Sequence, residues 1–204
     1  MKLKHSLLFI ALLSTTAIAA TTTPVGAELA GATKAQDSII QAADANGCRF
    51  DIKFLTMPKI KKQTIDASPT VKLFLKQYLA TQTRNGADIA SNVMCQQLIG
   101  QQYTGSQQEW AGFIDSGIKG LLKAGVNDIQ FTKVGDNDAA YKGPLGNIEY
   151  VFTGDNGGNK QVIHNLAVLD KANNQVITMS VSGNEKVTQE IQDEYQRLVN
   201  SFSL

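Results

Sequence analysis

Residues 106–125 read SQQEWAGFIDSGIKGLLKAG, a stretch that is stable only if something covers one side of it. Trp110, Phe113, Ile114, Gly117, Ile118, Leu121 and Leu122 recur at the three-and-four spacing of one helical face. Ser106 followed by Glu109 is a capping-box start, and Lys123 before Gly125 is a C-terminal stop. Gly112, Gly117 and Gly120 each cost a helix about 0.5–1 kcal/mol relative to alanine. Burying the large apolar side chains returns about 1.5–3 kcal/mol apiece, so this helix forms only against a partner layer. The stripe is therefore expected to be core, with the working surface of the protein elsewhere.

The partner layer is a sheet. Cys48, Phe50, Ile52 and Phe54 alternate with Arg49, Asp51 and Lys53, one face apolar and the other charged. The run Lys59-Ile60-Lys61-Lys62 reads as a solvated edge, since lysines discourage pairing with other chains. Over 71–83, Val71, Leu73, Leu75 and Leu79 share one face while Phe74 and Tyr78 occupy the other, so both faces of this sheet need cover. The segment 87–99 puts Ile89, Val93, Cys95 and Ile99 on one side. Further strands are expected at 128–134, from 139 to 142, and at 147–153, 161–169 and 175–182. Between them Asp155-Asn156-Gly157-Gly158-Asn159 is expected to be a long hairpin turn. A closing helix over 185–202 carries Val187, Ile191, Tyr195, Leu198 and Phe202, with Asn184 as N-cap. Antiparallel hairpins with two interleaved helices indicate an α+β fold, an antiparallel sheet with helices packed on it.

The first residues follow another logic. Lys2 and Lys4 precede an apolar run over 7–13 and the small residues Ala17, Ala19 and Ala20, the three-part pattern of a secretory signal peptide. The expected organisation is a signal peptide over 1–20, cleaved near Ala19 or Ala20, a mobile leader over 21–45, and one domain over 46–204. Within the leader, 35–45 is expected to form a short helix through Ile39, Ile40 and Ala43. The apolar run is shorter than the ~20 residues that span a bilayer, so no membrane span is expected after cleavage. Cleavage moves the formal net charge from +1 to about −1, which offers nucleic acid no electrostatic footing. The expected localisation is the periplasm.

Cys48 and Cys95, the chain's two cysteines, suit an oxidising compartment. A bridge between them would close a loop of roughly 50 residues, worth about 4 kcal/mol in the chain-entropy model. Two separate buried thiols are the alternative. Both side chains point to the core face of their strands, and a bridge is expected if those strands are neighbours.

Several landmarks resemble the PsbP-like superfamily, named for an extrinsic subunit of photosystem II. They are Phe50-Asp51-Ile52-Lys53-Phe54 with Pro58, Gly146 before Glu149-Tyr150-Val151-Phe152, and the ending Ser201-Phe202-Ser203-Leu204. The resemblance covers 46–204. It implies an α/β/α sandwich around an antiparallel sheet, and proteins that bind or stabilise partners without a shared catalytic site. Nothing in the residues points to a photosystem partner.

Motifs for chemistry are sparse. His164, the one histidine beyond the signal region, lies between Val162 and Leu166 with no nucleophile elbow near it. Asp136, Asp138 and Asp155 sit in Gly/Asn-rich turns without the closing glutamate of a calcium loop, and one histidine with two distant cysteines is no zinc pattern. No catalytic residue, cofactor or metal ligand is assigned. The expectation is a non-enzymatic periplasmic binding or assembly-support protein acting on an envelope protein. The alternatives are a small hydrolase using His164, or a small-ligand carrier with a pocket between helix and sheet.

Overall fold

The computed structural model of the chain describes residues 38–43 and 47–204. In order run β1 (Ser38–Ala43), β2 (Arg49–Phe54), β3 (Lys59–Ser68), β4 (Val71–Arg84), β5 (Ala87–Ile99), α1 (Gln107–Lys123), β6 (Asn127–Lys133), β7 (Gly146–Asn156), β8 (Asn159–Asp170), β9 (Gln175–Asn184) and α2 (Thr188–Asn200). Strands β3 to β9 form a seven-stranded sheet, ordered β3-β4-β5-β9-β8-β7-β6, in which every pairing is antiparallel. With two helices packed on it, this is an α+β fold. Two meanders build it, β3–β5 and β6–β9, joined where the last strand returns to lie beside β5. Helix α1 is the connection from central β5 to edge β6, across one face of the sheet. Helix α2 follows β9 and covers the opposite face.

That second face is closely packed. Ile89 and Val93 of β5 and Ile177, Met179 and Val181 of β9 meet Ile191, Tyr195 and Leu198 of α2, all buried. The β1–β2 hairpin lies on the same side, with Phe50, Ile52 and Phe54 in that core and Arg49, Asp51 and Lys53 exposed. The chain end completes this layer, because Asp51 and Ser203 exchange two backbone hydrogen bonds of 2.9 and 3.1 Å.

Four expectations need correction. The segment expected as a short helix is the strand β1, paired with β2 from Ser38↔Phe54 to Ala43↔Arg49. A helix of about ten residues is marginal alone, whereas β2 offers a row of backbone groups needing partners. No strand forms over 139–142. The Ala140 and Tyr141 N–H groups instead donate to the buried Glu149 carboxylate at 2.9 and 3.3 Å. The turn after β7 is short, with Asn156 opposite Asn159 and only Gly157 and Gly158 between, both at positive φ as a twisted two-residue hairpin requires. Leu122 is 53% exposed, because its side chain points 100° away from that of Leu121, the buried member of the pair. The signal peptide over 1–20 and the leader up to residue 37 lie outside the described residues.

Cys48 and Cys95 are joined, with Cα atoms 5.9 Å apart, and both are fully buried. Their strands are not neighbours in one sheet. Cys48 immediately precedes β2 of the two-stranded layer and Cys95 belongs to β5 of the large sheet, so the bridge staples one layer to the other. The lysine run 59–62 lies on β3, an edge strand, with the three lysines exposed.

Candidate functional site

The face under α1 is packed differently. Its apolar residues gather in two clusters, one under each half of the helix. Under the first half, Phe113 and Trp110 meet Leu73, Leu75, Leu98 and Val176. Under the second, Leu121 with Ile114 and Ile118 meets Tyr150, Phe152 and Ile163. Between these clusters the sheet presents amides and hydroxyls. Register sets Asn92 of β5, Ser180 of β9 and Asn165 of β8 in one cross-strand row, flanked by Leu79 and Tyr150. Thr178 holds the next row on one side and Ser182 the next on the other, with Gln96 one row past Thr178.

These side chains floor a cavity of about 100 Å³, partly open to solvent, whose roof is Phe113, Ser116, Gly117 and Leu121. The roof can span the polar strip because α1 carries Ser116 and Gly117 there, neither long enough to fill the gap. Gly117 also admits Phe152: a Cβ at that position would stand 3.2 Å from the Phe152 ring. None of the described residues lining the cavity is charged. Burial pushes the Tyr150 phenol up to about 12, so this wall stays neutral through the physiological range.

Part of the floor is bonded to itself. Gln77 Nε2 donates to Asn92 Oδ1 at 2.7 Å, Asn92 Nδ2 to Ser180 Oγ at 3.5 Å, and Thr178 Oγ1 to the Met94 carbonyl at 3.3 Å. Asn165 Nδ2 donates to the Ile163 carbonyl at 2.9 Å. The carboxamide of Gln96, a residue only 5% exposed, makes no hydrogen bond to any other described residue.

The helix start holds the roof in place. Ser106 Oγ accepts from Glu109 N–H at 3.3 Å, the expected half of a capping box. The reciprocal half is displaced, since the Glu109 carboxylate accepts from the N–H groups of Thr104 and Gly105. It thereby binds the incoming loop as well as favouring the positive pole of the helix.

The residues singled out from the sequence lie elsewhere. His164 is on the α2 side of β8, half-buried, its ring centroid 5.2 Å from that of Tyr195. Glu149, the nearby carboxylate, is occupied in holding the loop at Ala140 and Tyr141. Asp155 Oδ1 accepts from Gly158 N–H at 2.8 Å within its hairpin. Asp136 and Asp138 belong to the loop before β7, and among the described residues no three His, Cys, Asp or Glu side chains gather to hold a metal. The polar floor was missed. Its signal is the alternation Thr178, Ser180, Ser182 against Ile177, Met179, Val181, which marks a strand with one polar face.

Burial lowers the His164 pKa, and the Glu149 carboxylate opposes that shift. The fold thus favours the neutral imidazole, and the unfolded chain takes up the proton more readily. The stability associated with this group is complete above its ordinary pKa of ~6.5 and falls as pH drops through that value. Urea midpoints measured between pH 5 and 7.5 are expected to fall less steeply with acid in His164→Gln than in the parent. Parallel curves would sink this account.

Compared with known proteins, the chain matches no family model and no curated protein. Among solved structures it is similar to LpqN, described as involved in cell envelope biogenesis of Mycobacterium tuberculosis, at 12% identity and a TM-score of 0.44, over 82% of this chain and 90% of that one.

Proposed function

We propose that this chain is an exported, non-enzymatic binding protein of PsbP-like architecture whose site is the cleft under α1, where it carries a small molecule. One observation supports this above the others: the row Asn92, Ser180, Asn165 lies under a helix, where a sheet face is ordinarily apolar. Polar groups withdrawn from water without full compensation destabilise a fold, by about 1–3 kcal/mol each on protein scales. A concave, mostly apolar site with a few convergent polar groups is the form that ligand sites take. Export is supported by the N-terminal residue pattern and by a bridged cysteine pair. This reading moves the working surface from a partner-facing sheet or edge to the inner face of the central helix. It assigns His164 no chemistry, since His164 faces the other side of the sheet.

Native mass spectrometry of the protein purified from its own envelope fraction tests the proposal. A retained small-molecule mass is expected. Ser180→Leu inserts an apolar side chain into the floor and is expected to abolish retention, while lowering the unfolding free energy by about 1–3 kcal/mol, a loss that leaves the protein folded. Retention undiminished by Ser180→Leu, or no retained mass in the parent protein, would overturn it.

A further inference from the structure

We infer that the cleft selects an uncharged ligand, an apolar body bearing one amide or hydroxyl group that hydrogen-bonds the Gln96 carboxamide. The inference rests on the binding function proposed above and specifies the chemistry of its ligand. Gln96 lies on β5 with Met94 and Leu98 on the same face, and opposite Leu75 on β4 and Val176 on β9. All four are buried and apolar, and Phe113 of α1 belongs to the same cluster. A carboxamide in such surroundings has two donors and an acceptor, and buried polar groups are nearly always bonded. The Gln96 carboxamide makes no hydrogen bond to another described side chain or backbone group, whereas its backbone is held in the ladders to β4 and β9. It is also not sealed in, because the Gln96 amide is not among the described side-chain polar atoms that lie unbonded with no exposed surface. Gln96 is among the residues that line the cavity, where a ligand can supply that partner.

The ligand's charge follows from the lining. A carboxylate or ammonium group entering this cleft would meet no opposite charge among the described lining residues, and would lose hydration without replacement. An amide or hydroxyl instead gives Gln96 complementary donors and acceptors at little desolvation cost. Size follows from the volume. The cavity of about 100 Å³ is smaller than the ~150 Å³ cavity that takes benzene, so it encloses one end of a ligand while the rest emerges through the open side.

Benzamide, benzoate and benzylammonium share one ring and differ in charge, and toluene lacks the polar group. Saturable shifts of the amide resonances of β5, β9 and α1 in two-dimensional NMR measure their binding, and the fluorescence of Trp110, the sole tryptophan, gives a second readout. Benzamide is expected to bind at least tenfold more tightly than either ion. The near-isosteric Gln96→Met is expected to weaken benzamide about tenfold and leave toluene unchanged, as for loss of one buried hydrogen bond. Equal binding of the ions and benzamide, or benzamide binding unaltered in Gln96→Met, would overturn the ligand class. If Ser180→Leu still abolished binding in that case, the cleft would stand as the site and only its selectivity would fall. Probe binding untouched by Ser180→Leu would remove the site itself. Should Gln96→Met not fold, the charge series on the parent protein decides alone.

Discussion

Replacing Cys48 and Cys95 together by alanine is expected to lower the unfolding free energy by about 4 kcal/mol, the largest effect of any change proposed for this chain. The bridge joins residues 47 apart in sequence, and a loop of that size loses about this much chain entropy in the denatured state when closed. Its position makes the effect structural as well as entropic. The β1–β2 hairpin is a separate two-stranded layer, and such a layer is marginal unless packed on something. The bridge holds it where Phe50, Ile52 and Phe54 reach the core of α2 and the large sheet. Both sulfurs are inaccessible in the native protein, so reductant should act at the rate of global unfolding. Urea unfolding of the double variant, monitored by circular dichroism, measures the loss. A change under 1 kcal/mol would mean that the layers are held by packing alone.

The second large effect is at α2. Glu194 is buried at 5% exposure and accepts from Ser91 Oγ at 2.9 Å and from Arg197 Nε and Nη2 at 2.7 Å each. Arg197 Nη1 reaches on to the Lys53 carbonyl at 3.1 Å. One guanidinium thus joins α2 to β2, and the carboxylate joins α2 to β5. Arg197→Met leaves a buried carboxylate with a single hydroxyl donor and is expected to destabilise the fold by about 3 kcal/mol. The double variant Arg197→Met with Glu194→Leu is expected to recover most of that loss, because apolar replacement of a buried ion pair is often close to neutral. Single and double variants unfolding at the same urea concentration would show instead that the Lys53 contact, not charge burial, dominates.

Much of the fold was legible because its signals are local. The alternation in 48–54 and 71–83 and the stripes of both helices arise from repeats of 2 and 3.6 residues, and each element can be read from its own neighbours. The errors share a cause. Residues 38–43 became a strand because β2 offered an edge, and 139–142 lost theirs because a buried carboxylate offered better partners for their N–H groups. In both places a contact from outside the segment outweighed local preference. Leu122 was misplaced by treating seven residues as one face when the buried arc is narrower.

The cleft illustrates the same division more sharply. Thr178, Ser180 and Ser182 announce a strand with one polar side, and Asn92 and Gln96 announce another, yet nothing near either segment says which way those sides point. Residues 106–125 likewise require a covering layer without naming it. The chain alone therefore settled the kinds of elements, their order, the two-sided cover of the sheet and the dependence of the central helix on packing. Folding decided that β9 returns to lie beside β5, with Ile89 opposite Gly183. That single pairing aligned two polar faces from opposite ends of the domain and set α1 above them. It is written in no local pattern, because lateral strand pairing is decided by the free energy of the whole core and not by the residues of either strand.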